Sequence, residues 1–525
     1  MLTNREIFVT DPTTTSIPNE GVTKVLDPNT PQEWEVLRYE LSSFVCEGEY
    51  RRGLERVLSS YLAHLDQPSQ PAVWVSGFYG SGKSHFVRVL EYLWRDITFP
   101  DGVSARSLAH LPHDIEDLLR ELTTAGRRAG GLWSAAGTLG AGAGYNVRLA
   151  LLSIVFRSAD LPERYAPARF VIWLKQNGYY ADMRAAVERA GRDFDHELNN
   201  MYVSPYLTSA LLEVYPDFAA SPADARGLLK TQYPNRDDIS DDEMLTAMAD
   251  VLALQSSPPA KPPCALLVFD ELQQFIGEDQ DRTRNVQLAV EACCSRFGSQ
   301  LLFVATGQAA LQATPQLSKL QGRFSARVTL GDTDVERVVR EVVLRKQPDN
   351  IPTLKSVLDA ARGEIDRELA GTKIGPTPTD TPDLVPDYPL LPARRRFWER
   401  VLRAVDSAGT AGQLRTQLRI VHEAARDVAN APLGTVVPGD MIYGQLKLDM
   451  LQSSVLLREV NETIERLDDG TPDGRLKSRL CAAIFLVGKL PTEGITATGL
   501  RATAATLADL LVENISVGSD PLRQR

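Results

Sequence analysis

Four short apolar runs stand out from a chain whose other apolar positions recur at helical spacing. They are Ala72-Val73-Trp74-Val75, Ala265-Leu266-Leu267-Val268-Phe269, Leu301-Leu302-Phe303-Val304-Ala305 and Val328–Leu330. Each is too short for a helix, and most are rich in β-branched or aromatic residues, so each predicts a strand. The second and third do not alternate polar with apolar residues. They belong in the middle of a parallel sheet covered on both faces. Between the strands the pattern is helical. From Trp34 to His64, Leu37, Leu41, Phe44, Leu54, Val57, Leu58 and Tyr61 share helix-like spacing. The acidic run Asp237–Glu243 opens another helix, with Ser240 as its cap and Met244, Met248, Val251 and Leu252 as its apolar face. The fold class expected is α/β.

The breaks suggest how the chain is organised. Residues 1–30 are turn-rich. Residues 126–144 are rich in glycine and alanine and read as a flexible loop inside a mostly helical stretch. Six prolines between 376 and 392 read as a domain boundary. The resulting division is an N-terminal segment and helix (1–66), a core from 67–100 and 261–350, and a helical insertion (101–260). A helix and proline-rich linker (351–390), a helical lid (391–430) and a final helical region (431–525) follow.

Composition narrows the function. The 525 residues carry 57 Lys+Arg against 68 Asp+Glu, a formal charge of −11. That excludes a uniformly basic nucleic-acid coat but not a local basic patch. Five cysteines without a C-x-x-C pair exclude a disulfide scaffold and suit a reducing compartment. The start lacks a signal-peptide layout, and no apolar run is long enough for a membrane span. A cytoplasmic protein with no membrane partner is expected.

The strongest chemical signal is Gly77-Phe78-Tyr79-Gly80-Ser81-Gly82-Lys83-Ser84, a complete G-x-x-x-x-G-K-[ST] between a strand and a helical pattern. Gly77, Gly80, Ser81 and Gly82 let backbone N–H groups converge on phosphate oxygens. Lys83 offers a point charge to the β- and γ-phosphates, and Ser84 offers an oxygen to Mg²⁺. ATP and Mg²⁺ are the cofactors implied. The second run ends in Asp270-Glu271. Asp270 is placed to position the metal, and Glu271 to act as general base toward water. Asp270 follows Lys83 by 187 residues, so much of 101–260 must be inserted material.

The third run ends in Thr306-Gly307-Gln308, where AAA+ ATPases carry a polar residue called sensor 1. Thr306 is the first candidate and Gln308 the second. Arg323 fits a trans-acting arginine finger better than Arg327 does. Arg415, opening a later helix, fits the nucleotide contact called sensor 2. Between Arg394 and Arg426 stand eight arginines and three acids. Arg394, Arg395, Arg396, Arg419 and Arg426 are therefore the candidates for nucleic-acid phosphates.

The segment Val73–Phe86 closely resembles the phosphate loop of the BrxC/PglY ATPases of BREX phage-defence systems. Gly21–Val25, Phe269–Ile276, Ala305–Gln308 and Tyr388–Pro392 are also similar to that family. The resemblance implies a P-loop NTPase of the AAA+ type, similar to origin-recognition ATPases. It implies a parallel sheet with a large helical insertion, a helical lid and a winged-helix-like domain. Members of the family are longer, so an N-terminal fragment ending in a truncated winged helix is expected. The resemblance further implies a homo-oligomer that hydrolyses ATP alongside a DNA methyltransferase and a phosphatase-like protein, with DNA as a further candidate partner. The alternative is an ATP-bound scaffold with little turnover.

Overall fold

The computed structural model describes residues 2–15, 28–77, 81–138, 146–257, 261–308, 315–405, 414–491 and 497–525. The side chains of 315–316, 332–335 and 414–415 lie outside the description. So do Gly21–Val25 and Gly80. The chain divides into two compact units. One comprises Val22–Phe78 and Lys83–Leu330. The other comprises Met1–Gly21, Tyr79–Gly82 and Gly331–Arg525.

The first unit is built on five parallel strands: β1 (Val73–Gly77), β2 (Leu132–Thr138), β3 (Cys264–Asp270), β4 (Leu301–Gly307) and β5 (Ala326–Leu330). Their spatial order is β2-β3-β4-β1-β5. The four apolar runs are four of these strands. Every residue of β3 and β4 is buried, as non-alternating parallel strands require. Because β4 stands between β1 and β3, its tip lies between the ends of the other two.

The fifth strand corrects the sequence reading. β2 lies inside the glycine/alanine stretch expected to be a loop, and it pairs with β3 from Leu132↔Cys264 to Thr138↔Asp270. The small residues there serve close packing. A Cβ on Gly137 would lie 2.7 Å from Ile154 and from the Arg157 guanidinium, both on the helix Val147–Arg157. The interval 101–260 is therefore not only an insertion, because it supplies an edge strand of the core sheet. The helices after β2, from Val147–Arg157 to Asp241–Leu254, share one continuous hydrophobic core with the sheet. Ser240 caps the last of them, as expected, and Glu243 completes a reciprocal box with it.

The single helix expected over 34–64 is two: α1 (Pro31–Ser42) and α2 (Gly48–Ala63), with Gly48 at φ +53° after the break. The helix after the glycine-rich motif is α3 (Lys83–Arg95). Arg88 lies on it among buried apolar neighbours and pairs with Glu40 of α1 at 2.8 Å, both side chains almost fully buried. Breaking such a pair costs about 3–5 kcal/mol, so it ties α3 firmly to α1.

The second unit is helical among its described residues. Its N-terminal segment is stitched inward: Asn4 donates from its side chain to the carbonyls of Val428 and Thr435, and accepts from the Tyr388 hydroxyl at 2.6 Å. The proline-rich stretch lies within this unit, where Tyr388 is fully buried. The division expected there falls instead at Gly331. Prolines set turns inside a packed fold as readily as between domains. Among the described residues of 431–525 there are helices and an isolated Thr435–Asn514 bridge, with no ladder strand of the kind a winged helix would add. No helix among the described residues is long and apolar enough to cross a membrane.

Candidate functional site

Strand ends on one edge of a parallel sheet bring remote residues together. Gly77 ends β1, Asp270 ends β3, and Thr306 and Gly307 end β4. Lys83 begins α3, and its Nζ donates to the Gly77 carbonyl at 2.9 Å. Gly82, just before it, takes φ +79°, a conformation glycine adopts without penalty. Ser81 is buried, and Ser84 in the first turn of α3 is half-buried.

Electrostatics link the lysine to the acidic strand end. Burial pushes the Lys83 amine below its ordinary value, while Asp270 and Glu271 pull it back up. Burial pushes the Glu271 carboxyl up, Asp270 adds to that, and Lys83 opposes it. Lys83 thus lies within electrostatic reach of Asp270 and Glu271, although 187 residues separate the lysine from Asp270.

Glu271 sits in the left-handed region at φ 58°, ψ 27°, where a non-glycine residue is strained by roughly 1–2 kcal/mol. Its N–H donates to Thr306 Oγ1 at 2.9 Å and to Asp270 Oδ1 at 3.1 Å. The Thr306 hydroxyl in turn donates to Asp270 Oδ1 at 2.6 Å. Asp270 and Thr306 are only 2% and 1% exposed. Gln308, one residue past β4, is exposed. Gly307 is a close approach: a Cβ there would fall 2.3 Å from the Trp74 ring and 2.9 Å from Gln273 Oε1.

These residues suit a Mg²⁺–nucleotide. One hydroxyl, Ser84, and one buried carboxylate, Asp270, are a typical protein contribution to an ion whose other ligands are phosphate and water. An amine at the adjacent helix start complements the phosphate charge.

The arginines separate into two groups. Arg323 pairs with Glu291 of the helix Gln280–Phe297, and both side chains remain substantially exposed. Arg426 is exposed and pairs with Glu423, and Arg419 is half-buried on the same helix, Leu414–Asp427. The Arg415 side chain falls outside the described residues. Arg394, Arg395 and Arg396 are not the phosphate-facing surface expected of them. Arg394 is fully buried, paired with Glu368 at 2.5 Å and donating to the carbonyls of Val437 and Val512 at 2.7 Å. Arg395 is nearly buried among Asp387, Glu399 and Glu336. Arg396 binds Asp380 at 2.7 Å and the carbonyls of Ile374 and Gly375. Most of these acids lie outside the 394–426 window, which is why its local charge misled.

The buried Glu40–Arg88 pair escaped the sequence reading. Its signal was an arginine among buried apolar residues of α3, Phe86, Val87, Val89 and Leu90. No known protein-family model matches the chain.

Proposed function

We propose that this chain binds and hydrolyses ATP as a P-loop, AAA+-like ATPase of a BREX-type phage-defence complex, coupling turnover to DNA-directed modification or restriction. The observation that carries the ATPase reading is the placement of Lys83, which opens α3 with its Nζ on the Gly77 carbonyl at the end of β1, one strand away from Asp270 and Glu271 at the end of β3. A Gly-rich motif is common in many loops; the same motif facing an acidic strand end is what ATP hydrolysis needs. The defence-system assignment rests on the sequence resemblance alone.

In this reading Gly77, Gly80, Ser81 and Gly82 line the phosphates, and Lys83 neutralises the β- and γ-oxygens. Ser84 and Asp270 would hold Mg²⁺, which supplies positive charge where the leaving phosphate gains negative charge. Glu271 orients and deprotonates the attacking water. Burial pushes its carboxyl above the ordinary value, the direction that suits a base that must accept a proton. Arg323 would serve a neighbouring copy's nucleotide from the surface, exchanging Glu291 for phosphate.

The test is steady-state ATP turnover of the wild type and Glu271→Gln, with DNA and the partner proteins present. A general base contributes about 10²–10⁴-fold, so turnover should fall by that order while nucleotide affinity persists. A wild type that binds ATP tightly but shows no turnover above the variant supports the scaffold reading instead.

A further inference from the structure

A threonine hydroxyl has one hydrogen to give and lone pairs to receive with. At Thr306 both capacities are committed inside the protein. The hydrogen goes to Asp270 Oδ1 at 2.6 Å, and the oxygen receives the Glu271 N–H at 2.9 Å. The side chain is 1% exposed. It cannot donate to a phosphate oxygen without releasing Asp270.

We infer that Thr306 is a positioning residue that couples the metal-binding carboxylate to the backbone of the general base, and that it makes no contact with the γ-phosphate. The inference rests on the ATPase reading and deepens it. Two observations make the coupling specific. Asp270 and Glu271 are adjacent, yet they must serve different tasks: one carboxylate held for an ion, the other aimed at water. Glu271 is held in the left-handed conformation, and its N–H is pinned from β4 as well as from Asp270. The strand order makes this possible, since β4 pairs directly with β3 through Phe269↔Ala305. Rotation of the Asp270 carboxylate toward an ion is therefore transmitted to the peptide that carries Glu271, directly and through the shorter two-bond link of the Thr306 hydroxyl. A direct polar contact from the end of β4 to a phosphate then falls to Gln308, which is exposed beyond the strand.

The experiment compares Thr306→Val, Thr306→Ser and Gln308→Ala in the full chain. A fluorescent ATP analogue and its ADP counterpart are titrated with Mg²⁺ and with EDTA, and kcat is measured in parallel. Losing a charge-assisted hydrogen bond corresponds to about a tenfold effect or more. Thr306→Val should shrink the Mg²⁺-dependent gain in affinity about tenfold, equally for the ATP and ADP analogues, and should lower kcat further. Thr306→Ser, which keeps the hydroxyl, should restore both to within a few-fold, which separates lost positioning from lost folding. Gln308→Ala should leave the Mg²⁺-dependent gain for ADP unchanged. A loss confined to the ATP analogue in Thr306→Val would mean a γ-phosphate contact and overturn the inference. An unchanged Mg²⁺-dependent gain would overturn it too. If the wild type itself binds neither analogue, the ATPase reading fails, and that failure is visible before any Thr306 variant is compared.

Discussion

Two charged regions of this chain stand out in the sequence and are treated differently by the structure. One is the sheet edge where Lys83 meets Asp270 and Glu271. The other is the start of the Pro392–Val405 helix, with Arg394, Arg395 and Arg396. At the sheet edge the charged forms are disfavoured: burial drives the Lys83 amine down and the Glu271 carboxyl up. In the arginine cluster several charged forms are favoured. Arg395 and Arg340 are pushed up, and Asp380 is pulled down by Arg396 and the Thr377 hydrogen bonds despite its burial. Glu368 and Glu399 run the other way because burial outweighs their arginines. The difference teaches that charge density alone does not mark a site. Charges that the fold itself satisfies are architecture. Charges that it gathers and desolvates at the ends of parallel strands are candidates for a ligand.

That contrast can be broken from the architectural side. Arg394→Ala leaves Glu368 buried without its cation. It should destabilise the protein by about 3–5 kcal/mol in urea unfolding while nucleotide affinity of the folded protein stays within twofold. Replacing both partners with Arg394→Met and Glu368→Leu should recover much of that loss, since the desolvation cost disappears with the charges. If Arg394→Ala instead weakened DNA retention without a change in stability, the cluster would be a binding surface after all.

A smaller effect sharpens the same point within the second unit. Lys346 is buried beneath the Phe8 ring. Its Nζ donates to the carbonyls of Leu344 and Pro386, and Asp387 and Arg340 are the charged groups around it. Burial brings its amine from 10.5 down to about 7. Between those two pH values the unfolded chain binds a proton that the folded chain does not, so stability rises as pH rises from about 7 toward 10.5. Lys346→Met removes that slope. The variant should be the more stable of the two at pH 7, and its advantage should shrink by pH 10. Parallel stability curves for the two proteins would show that Lys346 keeps its charge when buried.

How much of this was legible in the residues depends on the distance over which each feature is decided. β3 and β4 announce themselves most clearly because a doubly covered parallel strand is apolar almost throughout, whereas β1 and the edge strand β5 show only a short apolar stretch. β2 does not announce itself, because packing beneath Ile154 and Arg157 demands small residues at Gly137, and small residues look like a loop. The break between α1 and α2 was hidden because apolar residues continue across it, through Phe44, Val45 and Cys46. Lys83 and Asp270 could each be singled out, 187 residues apart, because each sits in its own local pattern. The partners of Arg394 and Arg396 could not, because an acid such as Glu368 has no local mark that distinguishes it from a solvated one. The two-way bond of Thr306 was likewise out of reach. A threonine at a strand end states a donor and an acceptor, and only the strand order decides what they meet.

The central claim is that Lys83 and Asp270 form one Mg²⁺–nucleotide site. Its most direct test is calorimetric titration of a non-hydrolysable ATP analogue, with and without Mg²⁺, into the wild type, Lys83→Ala and Asp270→Asn. The account predicts saturable binding to the wild type that Mg²⁺ strengthens. Lys83→Ala should lose it at least a hundredfold under both conditions. Asp270→Asn should keep the Mg²⁺-free affinity and lose only the strengthening. Wild-type affinity unchanged by either substitution would contradict it.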